Sequence, residues 1–440
     1  MDSDPPGDSE TDPGPAFDSD READPLDAAV GRAWRGDYPR EFLTRLTELD
    51  DRMGGHEGER RAADIVRSAL ADVGADPEIR EFPMPRWTRG STSLAVSATR
   101  DGRPIERGFE ALALPYSPPG EVRAPLVDVG HGTPDEIDDA DVEGAVAVAS
   151  TDTPPEKGRF VHRMEKFGHA VEAGAAAFVF ANHVPGQLPP TGALRFGSEA
   201  AVPGVGVSKE TGDWLVDYAD AGAEVHLTVD ATTDEGTSRN VVGRLGPDTG
   251  TGVLAVAHLD AHDRRVWLAG VGCEEIGLLG AEALADRTDA DAVRAVVNVD
   301  GAGRARDLRA YTHSSDRLRA VAERVVERAG QPLAVTERPH PYSDHWPFLR
   351  AGVPALQLHS QAPEGADRGR GWGHTGADTR DKVDPRDLRS HGVLTALIVR
   401  ELAAVRDLGR IDAADLADRL RVADAERGMR AAGLWPEGWD

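Results

Sequence analysis

The sequence predicts an α/β protein built on a mixed, mostly parallel sheet flanked by helices, with a smaller α/β unit inserted into it. From residue 239 onward, apolar runs alternate with amphipathic helical segments, which is the pattern of a sheet with many parallel strands. Between residues 118 and 235, shorter apolar runs lie between Gly- and Pro-rich turns and two helical segments. That second pattern indicates a compact insert.

The N-terminal part of the chain divides into a tail and a helical segment. Residues 1–27 are mainly Asp, Pro, Gly, Ser and Glu, so they bury too little apolar surface to offset chain entropy and are predicted to form a disordered acidic tail. Residues 38–74 hold two amphipathic helical segments, and the second ends at a glycine. The following segment, "EIREFPMPRW", is predicted to be a strand or an edge segment.

The domain boundaries follow from the same patterns. The main domain is predicted to be discontinuous, over residues 28–117 and 236–408, with the insert at 118–235. The Asp- and Thr-rich segment 230–237 is interpreted as the linker that leaves the insert. Residues 409–440 are predicted to form a C-terminal helical tail.

The composition limits the classes of partner. The 440-residue chain has 77 acidic and 50 basic residues, a net charge of −27. This charge repels phosphate backbones and anionic lipid, so we expect neither nucleic acid nor a membrane surface as a partner. The one Cys excludes an internal disulfide and a cysteine-based metal cluster. Without a signal-peptide pattern or an apolar run of ~18–20 residues, a cytoplasmic protein is expected.

Histidine and acidic side chains follow the apolar runs of the main domain. In chain order they are His258, Asp260, Glu274, Glu275, Asp300, His345 and His374. Three of the motifs end strand-like runs, and ligands of α/β sheets bind beyond the carboxyl ends of strands. Imidazole and carboxylate groups without thiolates suit zinc or a similar divalent metal at an open catalytic site. Each residue alone is more often a surface, turn or helix-start residue, so the prediction depends on their shared context.

Two pairs within this set suggest a division of roles. In His258-x-Asp260, both side chains leave a strand on the same face, so the carboxylate can orient the imidazole. The side chains of the adjacent Glu274 and Glu275 diverge, so one can bind metal while its neighbour acts as a general base.

Five segments together carry a family resemblance. They are "AHLDAHD", "GVGCEEIGLLGAEAL", "VVNVDGAG", "YSDHWPFLRAGVPALQL" and "GHTGADT". The set resembles the motifs of the di-zinc aminopeptidase and glutamate carboxypeptidase family over roughly residues 38–408, and the insert resembles a protease-associated (PA) domain. The resemblance implies the zinc exopeptidase fold, a peptide substrate and removal of an N-terminal residue. Two roles remain equally open for the insert. It could be a lid or substrate-access module, or it could be a packed accessory domain with no part in the chemistry.

The resemblance also implies a set of metal ligands. His258 and Asp300 would hold one zinc ion, and Glu275 and His374 would hold the second. Two zinc ions are the number that the family implies, whereas this chain could hold one or none.

Further roles come from the same motifs. Glu274 would be the general base, because zinc lowers the pKa of the attacking water and the base takes and then returns its proton. Asp260 would orient His258. Asp344 and His345 match a family motif that we assign to the shape of the site rather than to metal binding.

The chain departs from the family between the first two motifs. Neither the Asp-Asn-x-x-Gly segment, whose Asp bridges the metals, nor a crossover helix lies between His258 and Glu274. Parallel strands need a crossover of about a dozen residues, yet residues 261–265 span at most ~17 Å against ~23 Å for a seven-residue strand. If 253–260 and 266–272 are both full strands, they form a hairpin; otherwise the first strand reverses, shortens or leaves the sheet. We therefore expect His258 to lie outside ligand reach of Asp300.

These observations leave two functions open. The first is a zinc-dependent aminopeptidase with weak or no activity, because the bridging carboxylate is absent. The second is a catalytically inactive remnant of the fold that acts as a binding or structural protein. A zinc-dependent cyclase of similar fold is less favoured. We expect Glu275, Asp300 and His374 to converge in either case, since the elements before them are intact.

The salt dependence of thermal stability distinguishes two explanations of the net charge of −27. An acidic surface with only four Lys fits adaptation to high salt, whereas GC-rich codon usage produces the same composition without adaptation. For an adapted surface, thermal unfolding should shift to higher temperature as salt rises from about 0.01 M, where the Debye length is ~30 Å and self-repulsion is strongest. A flat profile across the salt series would indicate codon usage instead.

Overall fold

The computed structural model describes residues 25–100, 102–186, 188–248, 250–256, 265–363 and 372–439. The predicted fold class is confirmed, since a mixed 14-stranded sheet is flanked by helices. The strands are β1 (Glu78–Arg100), β2 (Arg103–Phe109), β3 (Leu112–Ala113), β4 (Gly120–Asp128), β5 (Val146–Ser150), β6 (Ala177–Ala181), β7 (Gly204–Val207), β8 (Glu224–Leu245), β9 (Gly252–Val256), β10 (Arg265–Gly270), β11 (Val293–Val299), β12 (Asp307–Tyr311), β13 (Leu333–Thr336) and β14 (Ala355–Gln361).

The helices cover the sheet and fill the C-terminal segment. They are α1 (Pro25–Arg35), α2 (Tyr38–Thr47), α3 (Glu57–Asp72), α4 (Pro134–Asp138), α5 (Arg163–Glu172), α6 (Lys209–Asp220), α7 (Leu279–Asp286), α8 (Asp316–Arg328), α9 (Trp346–Arg350), α10 (Pro385–Ala404), α11 (Ala413–Val422) and α12 (Glu426–Ala431). Across the sheet, the strand order is β13-β12-β14-β11-β9-β10-β8-β4-β5-β6-β7-β3. Strand β1 pairs along β8, and β2 pairs with β1.

Two long strands run through both parts of the molecule. Strand β1 has 23 residues and β8 has 22, and they pair antiparallel from Glu78↔Val242 to Ser97↔Glu224. The opposite edge of β8 pairs with β10 toward its C-terminal end and with β4 toward its N-terminal end. The sheet of the main domain therefore continues without a break into the sheet of the insert.

The predicted linker at residues 230–237 is wrong, because these residues belong to β8. Asp234 lies opposite Arg86 of β1, and Arg86 Nη2 lies 2.7 Å from Asp234 Oδ2. The Thr residues of this segment are β-branched and favour extended backbone. The ion pair with Arg86 stabilises Asp234 in the strand, where Asp is otherwise disfavoured. An Asp- and Thr-rich composition was thus compatible with a paired strand as well as with a loop.

A hairpin, one of the alternatives for the first two runs, is wrong. Strands β9 and β10 are parallel neighbours, with Val253 opposite Val266 and Gly252 opposite Arg265. The described part of the first run, Gly252–Val256, therefore neither reverses nor leaves the sheet. The connection at residues 257–264 lies outside the described residues, and shortening of the first strand stays a prediction.

Residues His258 and Asp260 lie in this connection, outside the described residues. Their placement, and the expected separation of His258 from Asp300, stay predictions.

The main-domain sheet is packed on both faces. Val253 and Ala255 of β9 pack with α3, α8 and α10 on one face, and Leu254 packs with α7, α9, α11 and α12 on the other. This alternation is that of a strand buried on both sides. Strands β9, β10, β11 and β14 are mutually parallel, so their carboxyl ends lie at one edge of the sheet. Any site that uses the residues after these strands lies at that edge.

Predictions for the two ends of the chain can also be compared with the structure. Residues 1–24 lie outside the described residues, and residues 25–27 begin α1, so the prediction of disorder is wrong for these three. Helices α11 and α12 lie in the predicted C-terminal tail. Among the described residues, no helix combines the length and apolar character needed to cross a membrane. The cytoplasmic location stays a prediction.

Candidate metal centre

The loop between β10 and α7 carries Glu274 and Glu275. Its ends are tied together by the buried amide of Asn240 on β8, which accepts a hydrogen bond from Gly272 N (3.1 Å) and donates one to Gly280 O (2.7 Å). A Cβ at Gly280 would lie 2.3 Å from the Gly272 carbonyl oxygen, so this close approach requires glycine. The two glutamates are therefore presented on a tight turn at the carboxyl edge of the sheet.

The residue before the glutamates is anchored to α3. Cys273 has left-handed backbone (φ 59°), and its Sγ lies 3.7 Å from Glu59 Oε1. The same carboxylate accepts hydrogen bonds from the Ser238 hydroxyl and from Gly55 N (2.8 Å). Burial, and then the Glu59 charge, raise the pKa of Cys273 to about 12, so the thiol stays protonated at neutral pH.

Glu275 and His374 are in direct contact. His374 Nε2 lies 3.2 Å from Glu275 Oε1 and 2.9 Å from Oε2. The imidazole is largely buried, while 66% of the Glu275 side chain is exposed. Two ligands of one zinc ion lie within ~4 Å of each other, given metal–ligand distances of ~2.0–2.2 Å. The separation of the two side chains therefore fits joint ligation of one zinc ion.

Asp300 follows β11 at the same edge of the sheet. Its Oδ2 accepts hydrogen bonds from Ser343 Oγ (2.9 Å) and from Gln357 Nε2 of β14 (3.2 Å). The two donors fix the orientation of the carboxylate.

Asp344 places a second acidic group beside Asp300. Its side chain is buried, and within the described part of the chain its Oδ1 has no hydrogen-bond partner. Burial raises the pKa of this carboxyl well above its usual value, and the charges of Asp300 and Glu275 raise it further. A buried carboxylate with an unsatisfied oxygen beside two others is unfavourable without a cation. The chemistry of these donors fits a divalent metal such as zinc.

The described ranges contain no group of three or more His, Cys, Asp or Glu residues arranged to hold a metal ion. The structure brings Glu275 and His374 into contact. Asp300 is not part of that contact, but its charge and that of Glu275 both raise the pKa of Asp344. Glu274 is half-buried beside Glu275, and its carbonyl oxygen accepts hydrogen bonds from the turn that follows. The predicted roles of all these residues stay predictions.

His345 lies behind the site, where both ring nitrogens are engaged by protein groups. Nε2 lies 2.8 Å from His340 O, to which it donates, and Nδ1 lies 3.2 Å from the amide of Asn298, from which it accepts. Burial, and then His340, lower the pKa of His345 to about 3, so the ring is neutral. The ring stacks on His313 with centroids 4.4 Å apart. This environment supports a role in the shape of the site.

Three supporting residues were not singled out in the sequence. Ser343 and Gln357 hold Asp300, and Asn298 holds His345. A signal for two of them existed, because Asn298 and Gln357 are amides inside otherwise apolar runs and lie opposite each other on β11 and β14. Buried amides of this kind are retained where they have a polar partner.

Two family models match this chain. Peptidase family M28 matches residues 254–399, which include the glutamates, Asp300 and His374, and the PA domain matches residues 122–215, within the insert. These two matches confirm the resemblance of the main domain to peptidase family M28 and of the insert to a PA domain.

Relatives of known name agree with this assignment. Aminopeptidase YwaD of Bacillus subtilis is 25% identical over 401 residues, covering 82% of this chain and 83% of the relative. The probable lipoprotein aminopeptidase LpqL of Mycobacterium tuberculosis is 27% identical over 459 residues, covering 86% and 88%. The chain is thus a homologue of aminopeptidases along most of its length.

Solved structures share the fold. The aminopeptidase from Aneurinibacillus sp. strain AM-1 has a TM-score of 0.62 at 21% identity, covering 87% of this chain and 96% of the other. The zinc aminopeptidase BSAP from Bacillus subtilis has a TM-score of 0.61 at 22% identity, covering 84% and 94%. A Peptidase M28 precursor from Shewanella amazonensis has a TM-score of 0.66 at 20% identity, covering 87% and 96%.

The buried charge of Asp344 yields a test of the cation requirement. Because its folded pKa is raised, the ionised form costs stability, and this cost grows as pH rises above the unfolded value. In metal-free protein at pH 7, we expect Asp344→Asn to raise the free energy of unfolding by roughly 1–3 kcal/mol, and the gain should vanish near pH 4. Urea unfolding at the two pH values measures both effects.

With zinc in excess, the wild type should become more stable than Asp344→Asn, because zinc binding raises the free energy of unfolding of the wild type more than that of the variant. Replacement of the exposed Asp139 by Asn is the matched control and should change stability by less than about 0.5 kcal/mol under every condition. If Asp344→Asn destabilises the protein equally with and without zinc, the acidic group does not need a cation.

Proposed function

We propose that this chain is a zinc-dependent aminopeptidase that hydrolyses the N-terminal peptide bond of peptide substrates. The observation that carries the proposal is the contact of His374 with Glu275, at 2.9 Å, next to Glu274. The match to peptidase family M28 and the aminopeptidase relatives support the reaction class.

The proposed ligands divide into two sets. Glu275 and His374 would hold one zinc ion. The family resemblance assigns a second ion to His258 and Asp300, with Asp260 orienting His258, but we expect His258 to lie outside ligand reach of Asp300. Bound zinc supplies Lewis acidity, which polarises the scissile carbonyl and eases deprotonation of the attacking water. The chain lacks the family's bridging carboxylate, so we expect turnover to be slow and the number of bound zinc ions to be below two.

The protein's own groups perform the proton transfers and the positioning. Glu274 takes the proton from the attacking water and delivers it to the departing amine nitrogen, as a general base and then a general acid. Its position beside Glu275 is set by the turn that Asn240 closes. Ser343 and Gln357 hold Asp300 by two hydrogen bonds, which reduces the reorganisation needed during the reaction.

The role of Glu274 is tested by Glu274→Gln, which preserves the size of the side chain but removes the basic group. We expect hydrolysis of an aminoacyl p-nitroanilide to fall at least ~10²-fold, the usual contribution of a positioned acid–base group, while zinc content is unchanged. Initial rates and elemental analysis of the same preparation measure the two quantities.

The matched control is Glu106→Gln on the exposed face of β2, which should leave both quantities unchanged. Hydrolysis that survives Glu274→Gln would contradict the assignment of the base. A zinc-loaded wild-type protein without hydrolysis would favour the inactive, binding or structural remnant instead.

A further inference from the structure

Arg304 lies at the metal centre, against the segment that carries His374. It follows Asp300 by four residues, in the loop between β11 and β12, and it is exposed. A Cβ at Gly373 would lie 3.2 Å from Arg304 Nη1 and 3.3 Å from its Cζ. The guanidinium group therefore rests on the residue directly before His374, whose ring lies 2.9 Å from Glu275.

The loop that carries Arg304 is held in place by hydrogen bonds. The backbone N–H of Arg304 donates to Ser360 Oγ of β14 at 2.9 Å, and Ser360 N donates to Gly301 O at 3.2 Å. The N–H of the buried Gly303, whose φ is 81°, donates to His391 Nδ1 of α10 at 2.9 Å. The backbone of Arg304 is therefore already ordered, which lowers the entropic cost of using its side chain to bind a ligand.

The guanidinium group of Arg304 makes no hydrogen bond and no ion pair within the part of the chain that the structure describes. Acidic residues outnumber basic ones 77 to 50 in this chain, so a shortage of carboxylates does not explain the missing partner. Five N–H donors in a planar fork are left available, and this fork matches the two oxygens of a carboxylate. An exposed arginine is often only a solvated surface cation, but the position of this one beside His374 favours an anionic ligand.

The other charges of the centre complement the opposite end of a peptide. Glu274 and Glu275 are acidic, so they attract the N-terminal ammonium group of a peptide and repel any carboxylate that it carries. A carboxylate near the scissile bond therefore needs a cation of the protein close to it. Arg304 is such a cation, and guanidinium–carboxylate pairs are commonly bidentate.

We propose that Arg304 is a substrate-binding residue that recognises a carboxylate of the peptide close to the scissile bond. The proposal rests on the proposed function, in which a peptide is cleaved beside His374. Two sources supply this chemistry, because the C-terminal group of a very short peptide and the side chain of an acidic residue present the same two oxygens. The substrates would thus be very short peptides or peptides with an acidic residue after the cleaved bond.

Two pairs of peptides test the proposal and distinguish the two sources. Leu-Gly and Leu-Gly-NH₂ differ only in the terminal carboxylate, and Leu-Glu-NH₂ and Leu-Gln-NH₂ differ only in the side-chain carboxylate. The measurement is kcat/KM for the release of leucine by zinc-loaded protein. We expect the carboxylate member of at least one pair to be cleaved about 10–100-fold more efficiently than its neutral counterpart. The pair that shows the preference identifies the source, and equal values within both pairs would overturn the proposal.

Substitutions of Arg304 should remove this preference selectively. For Arg304→Gln we expect kcat/KM to fall about 10–100-fold on the preferred carboxylate peptide, while its neutral counterpart and the zinc content are unaffected. Arg304→Lys keeps the charge without the planar fork and should give an intermediate loss. The control is Arg306→Gln, which makes the same charge change at an exposed position of the same loop and should keep the preference. An equal loss on all four peptides would show an effect on the centre itself and would overturn the proposal.

Binding measurements separate failure of this proposal from failure of the proposed function. If zinc-loaded wild type cleaves none of the four peptides, the proposed function fails, and calorimetric titration with the same peptides decides the role of Arg304. Tighter binding of a carboxylate peptide than of its neutral counterpart, lost in Arg304→Gln and kept in Arg306→Gln, would support the role. Equal affinities within both pairs would overturn it.

Discussion

The antiparallel pairing of β1 with β8 joins the two parts of this protein. One end of this pair belongs to the sheet of the main domain and the other to the insert, and the pairing continues between them with one register shift, a β-bulge between Arg89 and Thr92. Rotation of the insert would require this ladder of backbone hydrogen bonds to break, and unpaired backbone groups are costly when buried. The position of α5 against the metal centre follows from this constraint, because α5 is part of the insert.

At the carboxyl edge of the sheet, the structure brings carboxylates together around the buried side chain of Asp344. Burial, and then the charges of Asp300 and Glu275, raise the pKa of Asp344 well above its usual value. The protein contributes hydrogen-bond donors to Asp300 but leaves one oxygen of Asp344 unsatisfied within the described residues. A multivalent cation would resolve this imbalance, and the proposed hydrolysis uses such a cation.

Much of the fold and part of the site could be predicted from the sequence, and the failures have physical causes. The alternation of runs predicted the sheet, and the polar residues after each run predicted the edge at which Glu275 and Asp300 lie. The hairpin alternative failed because β9 and β10 are parallel neighbours, and an apolar run indicates burial but not the direction in which a strand is paired. Segment 230–237 was misinterpreted because Asp and Thr suit a loop unless a partner strand is present.

The contribution of the insert could not be predicted at all. Arg163, the first residue of α5, places its Nη1 3.5 Å from Nδ1 of His374, although the two residues are 211 positions apart in the sequence. A lone Arg at the start of a helix carries no signal of its target. Gly192, beside which the guanidinium group passes, has φ 128°, a backbone conformation that favours glycine. Contacts of this kind depend on how two domains are docked, and local residue patterns contain no information about docking.

Anomalous diffraction at the zinc absorption edge, on crystals grown with zinc, tests the central claim most directly. The account predicts an anomalous peak about 2.0–2.2 Å from both His374 Nε2 and a carboxylate oxygen of Glu275. Absence of a peak between these two side chains, or zinc bound to Nδ1 of His374, would contradict the account.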